Sequence, residues 1–254
     1  MDTPPPRSVT LRALTLLSTF TPTHPRQTLS ELSRRSALPL ATVHRLLGDL
    51  TTWGAVTRDP DGAYRIGLRL WELGMLTPAA SRLREVALPF MQDLYESTRE
   101  NIHLAVRVGH EALYVDRLSG HRSVPIISRA GSRLPLHATG VGKVLLAHQD
   151  PEFVRHFCAT NPPRCTQYTI VEPGRLSREL KEVRRRGFAL TSEEMTLGTC
   201  SVAVPVRDAD GAVIAALGMV LHTVRADLAK QAPGLQAAAM GIEQRLGAGE
   251  EEWP

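Results

Sequence analysis

The run Gly140-Val-Gly-Lys143 is the first stretch whose residue types could do chemistry, since glycines ahead of a lysine at a helix start can cradle a phosphate. A nucleotide-hydrolysing loop also needs a glycine at position 137 and a hydroxyl after the lysine. The chain has His137 and Val144 there, so nucleotide hydrolysis is not expected. What remains is a helix N-terminus whose backbone N–H groups can hold a carboxylate or another acceptor. His148, His156, Cys158 and Cys165 lack the paired short spacings of a zinc site and read as scattered core or surface residues. Cys200 stands beside Ser201 with His137 distant, but no elbow motif or orienting acid accompanies them. No catalysis, metal or cofactor is therefore expected.

A second set of residues suits nucleic acid. Val43, Leu46, Leu47 and Leu50 recur at helical spacing and make one buried stripe, which turns Ala41, Thr42, Arg45 and Gly48 to the opposite side with His44 at the margin. That side is short and lightly built, as a helix must be to lie against base edges in a major groove. Thr42 and Arg45 are the candidates for base readout, with Leu40, Ala41 and His44 as shape or methyl contacts. Arginine can pair bidentately with guanine, worth about 1–3 kcal/mol of discrimination, or can hold a phosphate instead. Arg58 and Arg65 are candidates for phosphate or the minor groove, and Thr28, at a helix start, for a phosphate.

Charge agrees without deciding the matter. Of the formal net charge of +4, residues 1–75 carry +3, with nine arginines, no lysine and six acids. Such an excess fits an acidic partner and fits a solvated surface equally; the Arg184-Arg-Arg186 run reads as a solvated helix end. A chain of 254 residues is comfortable for two domains of unequal size. No unbroken apolar run approaches the length of about 18 residues that a membrane span requires, so no membrane partner is expected. Residues 1–7 lack the apolar core of a signal peptide and the three cysteines are scattered, which together lead us to expect a cytoplasmic protein with reduced thiols.

The elements that must position these residues follow from periodicity. Helices are expected over Val9 to Phe20, from Thr28 to near Ser36 with a Thr28…Glu31 capping box, and from Pro39 through Leu50. Strands Ala55 to Arg58 and Ala63 to Ile66 flank the turn Asp59-Pro-Asp-Gly62, and a short helix follows from Gly67 to Met75. Three helices and a basic hairpin describe a winged helix-turn-helix. A joint is expected at Leu76 to Ser81, dividing the chain into a DNA-binding domain with a linker helix (1–76) and an effector-binding domain (77–254). Beyond it we expect a helix from Arg82 to Arg99 bent at Pro89, strands Ile102 to Val108, Ala112 to Leu118 and Val124 to Ser128, and helices over Gly140 to His148, Pro151 to Cys158 and Arg175 to Arg186. Strands Ser201 to Val206 and Val213 to Leu221, and a last helix from Arg225 to Leu246, close an antiparallel α+β fold.

Thr28 to Gly67, with its Leu-Ser-Glu-Leu-Ser start, Ala-Thr-Val-His-Arg-Leu-Leu helix and Tyr-Arg-Ile-Gly exit, resembles the IclR family of bacterial regulators. Leu134-Pro-Leu-His-Ala-Thr-Gly-Val-Gly-Lys-Val-Leu-Leu-Ala147 is similar to that family's effector-domain loop and helix, and Gly187-Phe-Ala-Leu-Thr-Ser-Glu-Glu194 with Ser201-Val-Ala-Val-Pro-Val to its C-terminal signature. The resemblance implies a winged helix-turn-helix ahead of a GAF/profilin-like domain. It also implies a homodimer or dimer of dimers on a near-palindromic double-stranded operator, with a small-molecule effector altering affinity or activity. Leu40 and Ala41 depart from the polar residue and the serine usual in the family, so base preference should differ.

For relatives that sense small organic acids, the resemblance implies backbone contacts from Gly140 and Val141, completed by positions matching Thr191, Ser201, Gly218 and Val220, with His137 on the same loop. Gly218 and Val220 offer no hydroxyl and Thr191 is neutral, which points to a roomier, more apolar pocket for an aromatic or longer aliphatic acid. The alternative is that Gly218 and Val220 are ordinary strand residues and the ligand sits elsewhere. At the level of the whole chain, the alternative is a small-molecule-binding or enzymatic domain whose N-terminal helices mediate protein contacts. Effector identity, target genes and the sign of regulation are not written in any recognisable pattern.

Overall fold

The computed structural model describes residues 8–120, 123–124, 126–223 and 227–248. Its chain divides into two compact units, Met1–Pro78 and Ala79–Pro254.

In the first unit α1 (Val9–Leu17) stops short of the expected Phe20, because the hydroxyls of Ser18 and Thr19 turn back onto the carbonyls of Leu14 and Leu16. A two-residue strand β1 (Arg26–Gln27), not expected from the sequence, precedes α2 (Leu29–Ser36). Ala37, in the left-handed region at φ 54°, ends α2, and α3 (Leu40–Trp53) follows after two residues. Leu32, Val43, Leu46 and Leu47 bury the apolar stripes of both helices with Leu16, Leu38, Val56 and Tyr64. Gly54, at φ 89°, turns the chain into the hairpin β2 (Val56–Arg58) and β3 (Tyr64–Ile66), and β1 pairs with the other edge of β3. α4 (Leu68–Gly74) completes the winged helix-turn-helix.

The second unit is a six-stranded antiparallel sheet in the order β6-β5-β4-β9-β8-β7, covered on both faces. Its strands are β4 (Asn101–Val108), β5 (Glu111–Leu118), β6 (Arg133–Pro135), β7 (Ala189–Ser192), β8 (Thr199–Arg207) and β9 (Val213–His222). One face packs on α5 (Pro78–Thr98) and α9 (Leu228–Gly247) through Ile102, Leu104, Cys200, Val202, Val204, Leu217 and Met219. The other meets α6 (Gly140–Ala147), α7 (Pro151–Ala159) and α8 (Pro173–Arg186) through Ala105, Ala189, Ala203 and Ala216. Large residues thus alternate with alanines, because side chains of a strand point to opposite faces in turn, and the small ones let α6 approach the sheet closely.

Two expectations are corrected here. Val124 to Ser128 is not a strand among its described residues; the Asn101 side chain takes the carbonyl of Val124 and the Arg117 guanidinium that of Ser128, so side chains replace a ladder. The third strand is Arg133–Pro135 instead, paired with β5. The stretch read as a joint is helical from Pro78 onward, and α5 runs through Pro89 as one helix. The expected helix start at Arg225 lies outside the described residues, and α9 begins at Leu228.

Candidate DNA-reading face and effector cavity

On α3, burial of Val43, Leu46 and Leu47 leaves Leu40, Ala41, His44 and Arg45 exposed and Thr42 half-buried. Leu40 is 50% exposed, an apolar side chain held out at the first turn. Arg45 reaches only Asp49, at 3.5 Å with both side chains exposed, a pair too weak to hold the guanidinium against a stronger partner. A Cβ added at Gly48 would meet nothing within 4 Å, so this side of α3 is open to an approaching surface.

The wing is less free than its sequence implies. Arg65 lies 3.2 Å from both Thr57 Oγ1 and Asp59, while Arg58 stacks its guanidinium 5.6 Å from the Tyr64 ring centroid. Arg26 on β1 bonds Asp59 at 2.8 Å and also Asp61, and its hydrogen bond holds the Asp61 carboxyl below the usual carboxylate range. Arg26 and Arg65 are thus paired with Asp59 and Asp61, and Arg58 adds one net positive charge to this cluster. Thr28 is already occupied: its hydroxyl accepts the Glu31 N–H at 3.4 Å, while the Glu31 carboxylate accepts from the Thr28 N–H at 2.8 Å. A phosphate there would meet the Glu31 carboxylate, so Thr28 serves as a helix cap.

The cavity of the second unit opens at the N-terminus of α6 and has a volume of about 50 Å³. Thr139 caps α6 by accepting the Gly142 N–H at 3.1 Å, which leaves the N–H groups of Gly140 and Val141 with no intrahelical partner. Beside them the hydroxyls of Thr191 and Ser201 stand 2.5 Å apart, on paired positions of β7 and β8. Both glycines mark close approach: a Cβ on Gly140 would come 2.6 Å from Ser201 Oγ, and one on Gly218 would come 2.7 Å from Val141 Cγ1. The space above Gly218 is therefore filled by Val141, which removes the sequence argument that this glycine enlarges the pocket. Val220 also lines the cavity, together with Ile126, Leu134, Ala138 and Met195.

Polar groups that sequence reasoning missed form the rest of the wall. His103 is buried, with its Nε2 3.1 Å from Ser128 Oγ and its ring edge-on to Tyr114 at 5.1 Å. Burial, with the Arg117 charge nearby, pushes its pKa down to about 3. Glu194 also lines the cavity and pairs at 2.5 Å with the fully buried Lys143; burial holds its carboxyl above the ordinary range, with the ammonium working against that. Lys143 thus ties α6 to the wall instead of reaching a ligand phosphate. His137 is not brought to the cavity. Its Nε2 bonds Pro163 O at 3.0 Å, and its ring lies beside Phe157. Cys200 faces the α5–α9 side with its thiol on Leu221 O, away from Ser201's hydroxyl.

Both units match models of one family: residues 9–60 fit the IclR helix-turn-helix domain, and residues 79–243 fit the bacterial transcriptional regulator IclR C-terminal domain. The protein belongs to the IclR family. It is a DNA-binding transcriptional regulator that responds to a small effector. Among IclR-family relatives, the regulator XynR of Escherichia coli is 33% identical over 93% of this chain and 96% of its own. The regulator KdgR of the same organism is 32% identical over 86% and 85%. The crystal structure of an IclR homologue from Microbacterium hydrocarbonoxydans complexed with 4-hydroxybenzoate is 37% identical, superposes with a TM-score of 0.91, and covers 95% of this chain and all of that one. These relatives are described as regulators, and no helix among the described residues is long and apolar enough to cross a membrane.

Proposed function

We propose that this IclR-family regulator, acting as a cytoplasmic protein without catalytic activity, reads a near-palindromic operator as a homodimer or dimer of dimers and is switched by an aromatic monoacid. The observation that carries the effector reading is the corner where the Gly140 and Val141 N–H groups meet the paired Thr191 and Ser201 hydroxyls at the mouth of an otherwise largely apolar cavity. Those groups can receive a carboxylate without a cation, because N–H groups at a helix start carry partial positive charge. Ile126, Leu134, Val141 and Val220 then supply walls for a ring. The 4-hydroxybenzoate complex of the Microbacterium homologue supports the same class.

On the DNA side, Thr42 and Arg45 read base edges and Arg58 and Arg65 hold the backbone, with the two wing aspartates tempering the charge. A bound acid shifts operator affinity only through unequal affinity for two arrangements of the assembly. The test is a thermal-shift screen of organic acids combined with salt titration of binding to the DNA upstream of its own gene. We expect stabilisation by benzoate-type acids of about 2.7 kcal/mol at a hundredfold excess over Kd, and operator affinity falling steeply with salt. Stabilisation only by two- and three-carbon oxoacids would sink the aromatic assignment.

A further inference from the structure

The effector corner accounts for one end of the cavity; the opposite end holds a polar pair that no part of that reading uses. His103 on β4 pairs across the sheet with Gly218, and Ser201 pairs with Val220, so His103 and Ser201 share a face with β9 between their strands. That places them two strand spacings apart, about 10 Å laterally. Between them Val141 covers Gly218, an apolar surface a ring can lie against. His103 is 2% exposed, lines the cavity, and gives one ring nitrogen to Ser128; its other nitrogen, Nδ1, makes no hydrogen bond among the described residues. An imidazole nitrogen of a cavity-lining residue that makes no hydrogen bond among the described residues can meet a ligand atom.

We propose that His103, held by Ser128, is the specificity-determining residue for a neutral hydroxyl or carbonyl at the end of the effector remote from its carboxylate. This rests on the reading of the cavity as an acid site. Of the neighbouring groups, the Arg117 guanidinium is engaged by Ser128 O and Ser119 Oγ, and the Tyr114 ring packs edge-on against the imidazole. With its pKa near 3 the imidazole is neutral at physiological pH, so it offers one N–H and one lone pair and no charge for a second carboxylate. The ligand class is therefore a monoanion with a neutral polar group at the far end.

Isothermal titration of the full chain with four probes tests this: benzoate, 4-methylbenzoate, 4-hydroxybenzoate and terephthalate. A site built to bond a hydroxyl disfavours the isosteric methyl, so 4-hydroxybenzoate should bind about tenfold or more tighter than 4-methylbenzoate, with terephthalate weakest. In His103→Phe and in the milder Ser128→Ala the ratio of hydroxy to methyl acid should fall toward one, and His103→Asn, which keeps a donor and an acceptor, should restore part of it. Equal binding of the hydroxy and methyl acids by the wild type, or tight terephthalate binding, overturns the role of His103 while leaving the acid site standing. An unchanged ratio in both His103→Phe and Ser128→Ala overturns it too. Binding by none of the four removes the acid site and this inference together.

Discussion

His103 shows what a single residue costs and gives. Its imidazole is neutral in the folded protein with a pKa near 3 against an ordinary 6.5, so below pH 6.5 the unfolded chain takes up a proton that the native state refuses. Stability therefore rises with pH across that window, and His103 contributes a slope of about 1.4 kcal/mol per pH unit. Glu194 acts in the opposite sense, since a carboxyl with a raised pKa binds its proton more readily when folded and loses that advantage as pH rises. Comparing wild type with His103→Gln by denaturant melts from pH 4 to 7 isolates the histidine: the variant should be flatter, and equal slopes would refute the assignment. Arg45 stands at the other extreme, exposed and, among the described residues, tied only to Asp49. Arg45→Ala should remove about 1–3 kcal/mol of preference for the operator over random DNA, leaving weak, salt-sensitive binding in a competition gel shift. The outward turn of Arg45 could be read from the Val43–Leu50 stripe, because helical period alone sets it. His103 gave no such signal, since its value lies in meeting Ser128 and α6 from distant parts of the chain.

Among the elements, α6 carries the clearest lesson. Its Gly140-Val-Gly-Lys143 start has the residue types of a phosphate loop, yet each serves packing. A Cβ on Gly142 would strike Leu136 O and stand 2.5 Å from Thr139 Oγ1, so no side chain fits without moving the cap. Gly142→Ala should destabilise the second unit by about 1–3 kcal/mol, read as a lower thermal midpoint. Gly174→Ala, at the start of α8 where an added Cβ meets nothing within 4 Å, should be neutral or slightly stabilising and serves as the control. The strands β4, β5, β8 and β9 were recognisable from alternation and apolar content, whereas β1 and β7, of two and four residues, were too short to show a period. Val124 to Ser128 misled because its residue types suit a strand, while its carbonyls found side-chain donors.

For the molecule as a whole, α4 and the residues just after it expose large apolar side chains. Leu68 is 76% and Trp71 63% exposed, with Leu73 and Leu76 also exposed. Large apolar residues so concentrated mark an interaction surface, which supports the proposed dimer. Trp71→Glu should shift the protein toward monomer in sedimentation and weaken binding to a two-half-site operator by about a hundredfold through lost avidity. Binding to an isolated half-site should change little. A variant that remains dimeric would place the interface elsewhere.

The sequence by itself determined the order of elements, the buried stripes of α2 and α3, the basic wing and the antiparallel character of the sheet, because periods of 3.6 and 2 and turn chemistry are local properties. Tertiary structure alone decided which face of the sheet bears the cavity. Both faces of β8 and β9 are buried, so the alternation of small or polar with large residues along them does not by itself say which helices cover which face. It also decided that His103 and Ser128 join Thr191 and Ser201 in one cavity while His137 does not. Those groups are brought together by strand register and by the close seating of α6 on small residues, contacts between positions far apart in the chain.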